Sequence, residues 1–317
     1  MNKKTMIFLT LLLLITVSAV GYGIYVSTYA LEISKYSISS DKIDTPIRIV
    51  QLSDLHNSVF GEDNKELISA VESLEPDMIL ITGDLVNSKS GKDISIAESL
   101  IRNIKSIAPV YFSYGNQEED LEMEYGLDVA AVFSDAGATV LDSNFADITM
   151  NGQALRIGGI YGYCQPEVFA QETDRENESS FLKSFQDTDH YKILLCHMPV
   201  CWLESGSLYD WDVDCVFSGH AHGGQIRLPF IGGLWAPDQG WFPGQECGVY
   251  TTDEESWKVH NERMIRWAEE QGYDSGYYEN RVYYPGYLVL SRGLGSTEKI
   301  PRFNNIPEIV AVDILPE

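Results

Sequence analysis

Basic residues are scarce in this sequence: 22 lysines and arginines stand against 47 aspartates and glutamates in 317 residues, a formal net charge of -25. Such a chain carries no basic stripe, which excludes nucleic acid or an anionic bilayer as a partner held by surface charge. A small anionic substrate is not excluded, because bound cations reverse the local sign inside an acidic protein. Cysteine is scarce as well. Cys164, Cys196, Cys201, Cys215 and Cys247 are an odd number with no CxxC pair, which excludes a disulfide-dense scaffold. They read as buried small hydrophobes; spacing does not assign the one disulfide that an oxidising compartment would permit. No internal repeat or low-complexity tract is visible. What is abundant is apolar residue, 44% of the chain, enough to build a sizeable core.

Charge is also missing over one long stretch. After Lys3 and Lys4, no charged residue occurs from Thr5 to Leu31. At about 1.5 Å per residue, a helix of this length crosses a hydrocarbon layer roughly 30 Å thick. Residues 1–31 are therefore expected to be a transmembrane anchor in the cell membrane. The two lysines place the N-terminus inside and the following domain outside the cell. A signal peptide cleaved after Val17-Ser18-Ala19, giving a secreted form, is the rival reading. Residues 32–45, polar and Ser-rich, read as a linker, and 46–317 as one domain.

From Ile47 the pattern alternates short apolar runs with amphipathic stretches. Strands are expected at 47–52, 78–81 and 110–113, with helices at 64–73 and 94–107 between them. This βαβαβ order calls for right-handed crossovers in a partly parallel sheet. A helix at 125–136 and strands at 139–141 and 155–160 follow. A helix at 179–185 and strands at 192–196, 213–217, 287–291 and 308–314 complete the core elements. Two mixed sheets packed together with helices outside account best for this α/β order. The segment 227–250 is rich in Gly, Pro and aromatic residues, 254–271 reads as a charged helix, and 273–284 as an aromatic loop.

Polar residues able to bind metal recur where the apolar strands end. Asp54 and His56 follow the first strand, Asp84 the second and Asn116 the third. His197 follows ILLC, and His220 and His222 lie in CVFSGHAHGG. In an open α/β sheet the crevice beyond the strand C-termini is where ligands bind. Singly, an Asp after a strand is a turn or helix cap, and a lone His is a structural residue. Seven oxygen and nitrogen donors arriving from five strand ends are a metal site instead. Carboxylates, an amide oxygen and imidazoles suit two divalent or trivalent ions such as Fe, Mn or Zn. The remaining histidines, His190 and His260, read as surface residues.

The motifs SDLH, GD, GNQE, SGHAHGGQ, SRGLG and the final PR and PE pairs resemble the calcineurin-like metallophosphoesterases, most closely a small bacterial, membrane-associated, phosphodiesterase-like branch. The resemblance runs from Ile47 to the C-terminus. It implies a four-layer α/β/β/α sandwich with Asp54, His56 and His222 on one ion, Asn116, His197 and His220 on the other, and Asp84 bridging them. It further implies hydrolysis of a phosphodiester or lipid-linked (pyro)phosphate by a water nucleophile activated between the ions. In that family a histidine follows the asparagine ligand; here Gln117 stands in its place. Glutamine donates an amide hydrogen bond but transfers no proton at neutral pH. Asp84, Asn116, Gln117 and His197 are the candidate catalytic residues.

On the substrate side, Trp235, Trp241 and Phe242 form a candidate apolar lip for an acyl or isoprenoid chain, and Arg292 a candidate phosphate ligand. Simple packing of the aromatic loop and an ion pair for Arg292 are the alternatives. The expected partners are a phosphorylated small molecule or lipid head group, and a membrane through the N-terminal helix. The competing function is an extracellular metal-dependent binding or sensing module, favoured by Gln117 and the segment 251–284.

Overall fold

The computed structural model describes residues 2–162, 164, 176–296 and 301–317. Helix α1, Lys3–Tyr29, opens the chain, capped by Asn2, whose side chain accepts the Thr5 N–H at 2.8 Å. The first sheet takes β1 (Glu32–Ser40), β2 (Ile47–Leu52), β3 (Met78–Thr82), β4 (Val110–Ser113), β5 (Ala138–Val140) and β12 (Glu308–Pro316) in the order β1-β12-β2-β3-β4-β5. The second takes β6 (Asn144–Met150), β7 (Gln153–Ile160), β8 (Tyr191–Cys196), β9 (Cys215–Ser218), β10 (Gly248–Thr251) and β11 (Tyr287–Leu290) in the order β10-β11-β9-β8-β7-β6. Both sheets are mixed. β2 through β5 are parallel, with β12 antiparallel to β2; β7, β8, β9 and β11 are parallel between antiparallel edges.

Three cores separate the layers, and side-chain alternation along the strands assigns residues to them. In β2 and β3, Val50, Leu52, Ile79 and Ile81 face helices α2 (Lys65–Glu72), α3 (Ser95–Ile104) and α5 (Val129–Ala136), joining Leu67, Leu100, Ile101 and Phe133. Ile47, Ile49, Met78 and Leu80 point the other way, onto Leu155, Ile157, Ile193, Leu195 and Phe217 of the second sheet. Beyond that sheet Leu194, Val216 and Leu288 pack on Phe181, Leu182 and Phe185 of α6 (Glu176–Gln186) and on Trp202. The result is an α/β/β/α sandwich, as expected.

Several expectations need correction. Residues 32–40 of the stretch read as a linker are β1, an edge strand pairing parallel with β12 from Glu32 opposite Glu308 to Ser40 opposite Pro316. Its polar composition reflects a strand exposed on one side and one edge, where serine and charge are tolerated. The helix expected at 125–136 starts only at Val129, because an unexpected helix α4 (Asn116–Tyr125) stops at left-handed Gly126 and Asp128 caps α5 by accepting the Ala131 N–H at 2.8 Å. Strands β6 and β10, both at sheet edges, lack the apolar run that marks central strands. His260 is not a surface residue: it is buried on α7 (Glu254–Gln271), stacked on Tyr209.

Candidate metal centre

The ends of β2, β3, β4, β8 and β9 converge where the two sheets meet, and polar bonds stitch the sheets together there. Gln51, buried on β2, donates to Thr82 Oγ1 at 2.9 Å and across to the Ser218 carbonyl at 2.8 Å. His197 Nδ1 lies 2.7 Å from the Thr82 carbonyl, an acceptor only, so Nδ1 carries a proton and Nε2 is the nitrogen turned toward the site. That nitrogen points at Asp84 Oδ2, 3.4 Å away.

Two clusters form around this point: Asp54, His56 and His222; and Asp84, His197 and His220. In the first, the Nε2 atoms of His56 and His222 approach to 3.3 Å, and Asp54 Oδ1 lies 3.6 Å from His222 Nε2. In the second, His220 Nδ1 is 3.2 Å from His197 Nε2. Asp84 Oδ2 faces both, because it is also 3.6 Å from His56 Nε2. Its other oxygen, Oδ1, accepts the Gln117 N–H at 2.9 Å. Asn116 begins α4 beside these groups, and its buried Oδ1 has no hydrogen-bond partner among the described residues. A buried acceptor left unpaired is costly, and the buried Asp54 and Asp84 carboxylates repel each other. Cations relieve both problems, so this donor set fits two metal ions: the site is dinuclear.

Local backbone strain accompanies the convergence. Asp54, His56, Asp84, His220 and His222 all have positive φ, between 47° and 67°, where non-glycine residues are uncommon. Gly115 must be glycine, since a Cβ there would overlap the Asp84 carboxylate. Glu118, fully buried, accepts the backbone N–H groups of Asp84, Leu85 and Gly115 at 2.8–2.9 Å and of Val86 at 3.3 Å, fixing the loop that carries Asp84.

The electrostatics suit ligation. Burial works against charge on His197, yet the neighbouring Asp84 and Asp54 carboxylates lift it to about 10. Burial lowers His222 to about 3 and also depresses His56, keeping both neutral. Despite burial, the histidines around Asp54 and Asp84 hold both carboxyls below the usual carboxylate range. Burial and the Asp84 charge push Glu118 up to about 7.

The other candidate residues separate into two groups. Gln117 is at the site: its Oε1 accepts from Ser88 N at 3.1 Å and Ser88 Oγ at 2.9 Å. Because the Ser88 amide can only donate, the side chain is oriented and its NH₂ is directed away from Ser88. The aromatic segment also borders the centre. Trp235 pairs with Trp241 across a short hairpin whose turn presents Asp238, and Asp238 Oδ2 is 2.8 Å from His220 Nε2. Trp241 and Phe242 are exposed; Trp235 is partly so. Arg292 is engaged elsewhere: its guanidinium lies 3.0 Å from Glu308 and 3.1 Å from Glu32, two carboxylates that neutralise it. Sequence reasoning missed Ser88, Gln51 and Asn305, whose Nδ2 donates to the His222 carbonyl at 2.7 Å. No local pattern marks these three; only the folded chain brings them to the site.

Comparison with known proteins agrees with the geometry. A family model described as "Calcineurin-like phosphoesterase" matches residues 47–224, more than half of the chain. An uncharacterised metallophosphoesterase of Bacillus subtilis, YkuE, is 27% identical over 297 residues, covering 91% of this chain and 87% of that one. Another from Aquifex aeolicus is 31% identical over 221 residues, covering 66% and 77%. The phosphodiesterase YaeI of Escherichia coli is 26% identical over 252 residues, covering 75% and 86%. The matched region contains every residue of both clusters, and this chain belongs to the calcineurin-like phosphoesterases and is a metal-dependent phosphoric ester hydrolase.

Proposed function

We propose that the protein cleaves a phosphodiester or a lipid-linked (pyro)phosphate at the outer surface of a membrane. The observation that carries the two-ion reading is the single oxygen, Asp84 Oδ2, facing His56 at 3.6 Å and His197 at 3.4 Å. Asp54, His56 and His222 would hold one ion, Asn116, His197 and His220 the other, and Asp84 both. Nitrogen and oxygen donors without thiolate suit Fe, Mn or Zn. Such ions, when bound, polarise phosphoryl oxygens and acidify water.

The protein's own groups position and orient. Asp238 accepts a hydrogen bond from Nε2–H of His220, so Nδ1 faces the cluster. The Thr82 carbonyl accepts Nδ1–H of His197 in the same way, so Nε2 of that ring faces the cluster. Gln117, held by Ser88, offers its NH₂ to a phosphoryl or leaving-group oxygen without supplying a proton. That limitation favours leaving groups that depart without protonation, such as a phosphate within a pyrophosphate. The name of the Escherichia coli relative, a phosphodiesterase, supports a diester. The membrane reading is supported by α1, whose 27 residues include an 18-residue window of mean hydropathy 2.3 with none of it buried.

The test is elemental analysis of the purified chain with a hydrolysis screen over diesters, monoesters and lipid pyrophosphates. Asp84→Asn should drop from about two ions toward none, and His222→Ala should retain about one, as a shared ligand requires. Full occupancy in Asp84→Asn would refute the shared carboxylate. Two bound ions in the wild type with no hydrolysis of any ester class would favour a binding or sensing role.

A further inference from the structure

The segment following the last two histidines exposes large apolar side chains to solvent. Phe230 is fully exposed, and Ile231, Trp241 and Phe242 leave 61–69% of their surface uncovered. Phe230 also has a φ of 66°, in the left-handed region where glycine is easier to accommodate. A bulky side chain kept in a disfavoured conformation, packing on nothing, makes its contact outside the chain.

Phe303, which pairs with the root of this segment, touches helix α1. The Phe303 ring lies against Gly23, where a Cβ would overlap it. The Phe303 carbonyl accepts the Arg227 N–H at 3.0 Å, and Phe303 bridges Ile226. Four residues further along the helix, Ser27 Oγ accepts the Asn305 N–H at 3.1 Å. The last turns of α1 therefore rest on the layer from which the hairpin departs. Residues 3–22, by contrast, are all exposed. At 1.5 Å per residue this leaves about 30 Å of free apolar helix, the thickness of a hydrocarbon layer. With that part inside a bilayer, Gly23 lies at the surface, and with it Phe303 and the hairpin root.

We propose that the segment 228–242 is a second membrane contact, its apolar tip sunk into the leaflet surface beside α1, holding the mouth of the metal centre against the lipid. This rests on the anchoring role proposed for α1. The occupant is lipid, and the contact is apolar, because a chain of net charge -25 gains nothing from anionic head groups. Exposed Trp and Phe suit the interfacial layer. The same segment carries Asp238, 2.8 Å from His220, so the element that meets lipid also meets a metal ligand. A cavity of ≈ 240 Å³, lined by Ile226, Leu234, Trp235 and Trp241 among others, lies alongside and is apolar enough for a lipid chain.

The experiment places a depth probe at the tip. Phe230→Trp, at a position that packs on nothing, is made in the full chain and reconstituted into phosphatidylcholine vesicles with or without bromine on the acyl chains. Metal content equal to wild type checks that the fold is intact. The emission that the introduced indole adds to the wild-type spectrum should be blue-shifted and fall roughly twofold or more in brominated lipid, since interfacial apolar faces sink ~5–10 Å. Unquenched, water-like emission from chains that resist alkaline carbonate extraction overturns the proposal while leaving the anchor standing. Blue-shifted but unquenched emission assigns the face to a second copy of the chain and also overturns it. Release of the chain by carbonate defeats the anchor, and the hairpin proposal with it.

Discussion

Changing Glu118 to glutamine removes one carboxylate oxygen from a fully buried position where four backbone N–H groups converge. Oε2 accepts from Asp84 and Gly115, and Oε1 from Leu85 and Val86. Whichever oxygen becomes NH₂, two N–H donors lose their acceptor and face another donor. Each buried group left unpaired costs about 1–3 kcal/mol, so the substitution should cost roughly 2–6 kcal/mol. Against a total stability of about 5–15 kcal/mol this is large. It corresponds to a fall in melting temperature of roughly 5–20 °C for a domain of this size. The two donors lost are either those of Asp84 and Gly115 or those of the two residues after Asp84, so the loop carrying Asp84 loosens. Affinity should then fall at both metal positions, by about 10–100-fold, as when other groups supporting a ligand are lost. Thermal unfolding of the metal-free full chain in detergent, with metal titration of the same samples, reads both effects. A melting temperature and two-ion occupancy unchanged from wild type would refute the claim that Glu118 holds this loop. If catalysis were lost with stability and metal affinity intact, Glu118 would have to be acting chemically.

Gln117→His should raise turnover of alkyl esters far more than of nitrophenyl esters, because a proton donor is worth roughly 10²–10⁴ in rate only where the leaving group needs one. An equal rise on both would show that a stronger transition-state hydrogen bond than the Gln117 amide gives, not proton transfer, is what is missing. His197 carries a second expectation. Lifted to about 10 by Asp84 against the effect of burial, it is protonated at pH 7 in the metal-free chain. Its folded value lies above the unfolded value of about 6.5, so its stabilisation of that form is full below about 6.5 and lost as pH rises through about 10. A metal needs the bare Nε2, so metal uptake at pH 7 should release about one proton. Calorimetric titration in buffers of differing ionisation enthalpy measures it, and zero release would sink the assignment.

The two clusters were legible because their pattern is local. Each residue sits in the first few residues after an apolar strand, and the direction of a parallel sheet delivers strand ends to one rim. The layered architecture was legible for the same reason: alternation in β2 and β3 sends Val50 and Ile49 to opposite faces, which demands a cover on each side. The edges were not legible. β1, β6 and β10 are half solvated, so nothing in Glu32–Ser40 distinguishes a strand from a tether until β12 supplies its hydrogen bonds. Nor does the SRGLG motif reveal that Arg292 is spent on Glu308 and Glu32, which come from the far ends of the chain. By itself, the sequence determined the residue types of the two clusters, the strand ends that carry them and the apolar run at the N-terminus, all of which depend on neighbours a few residues away. Only the tertiary structure decided which oxygen of Asp84 faces both clusters, which ring nitrogens of His197 and His220 face the site, and that Asp238 of the aromatic hairpin meets His220. Those are contacts between residues far apart in sequence, set by packing across two sheets.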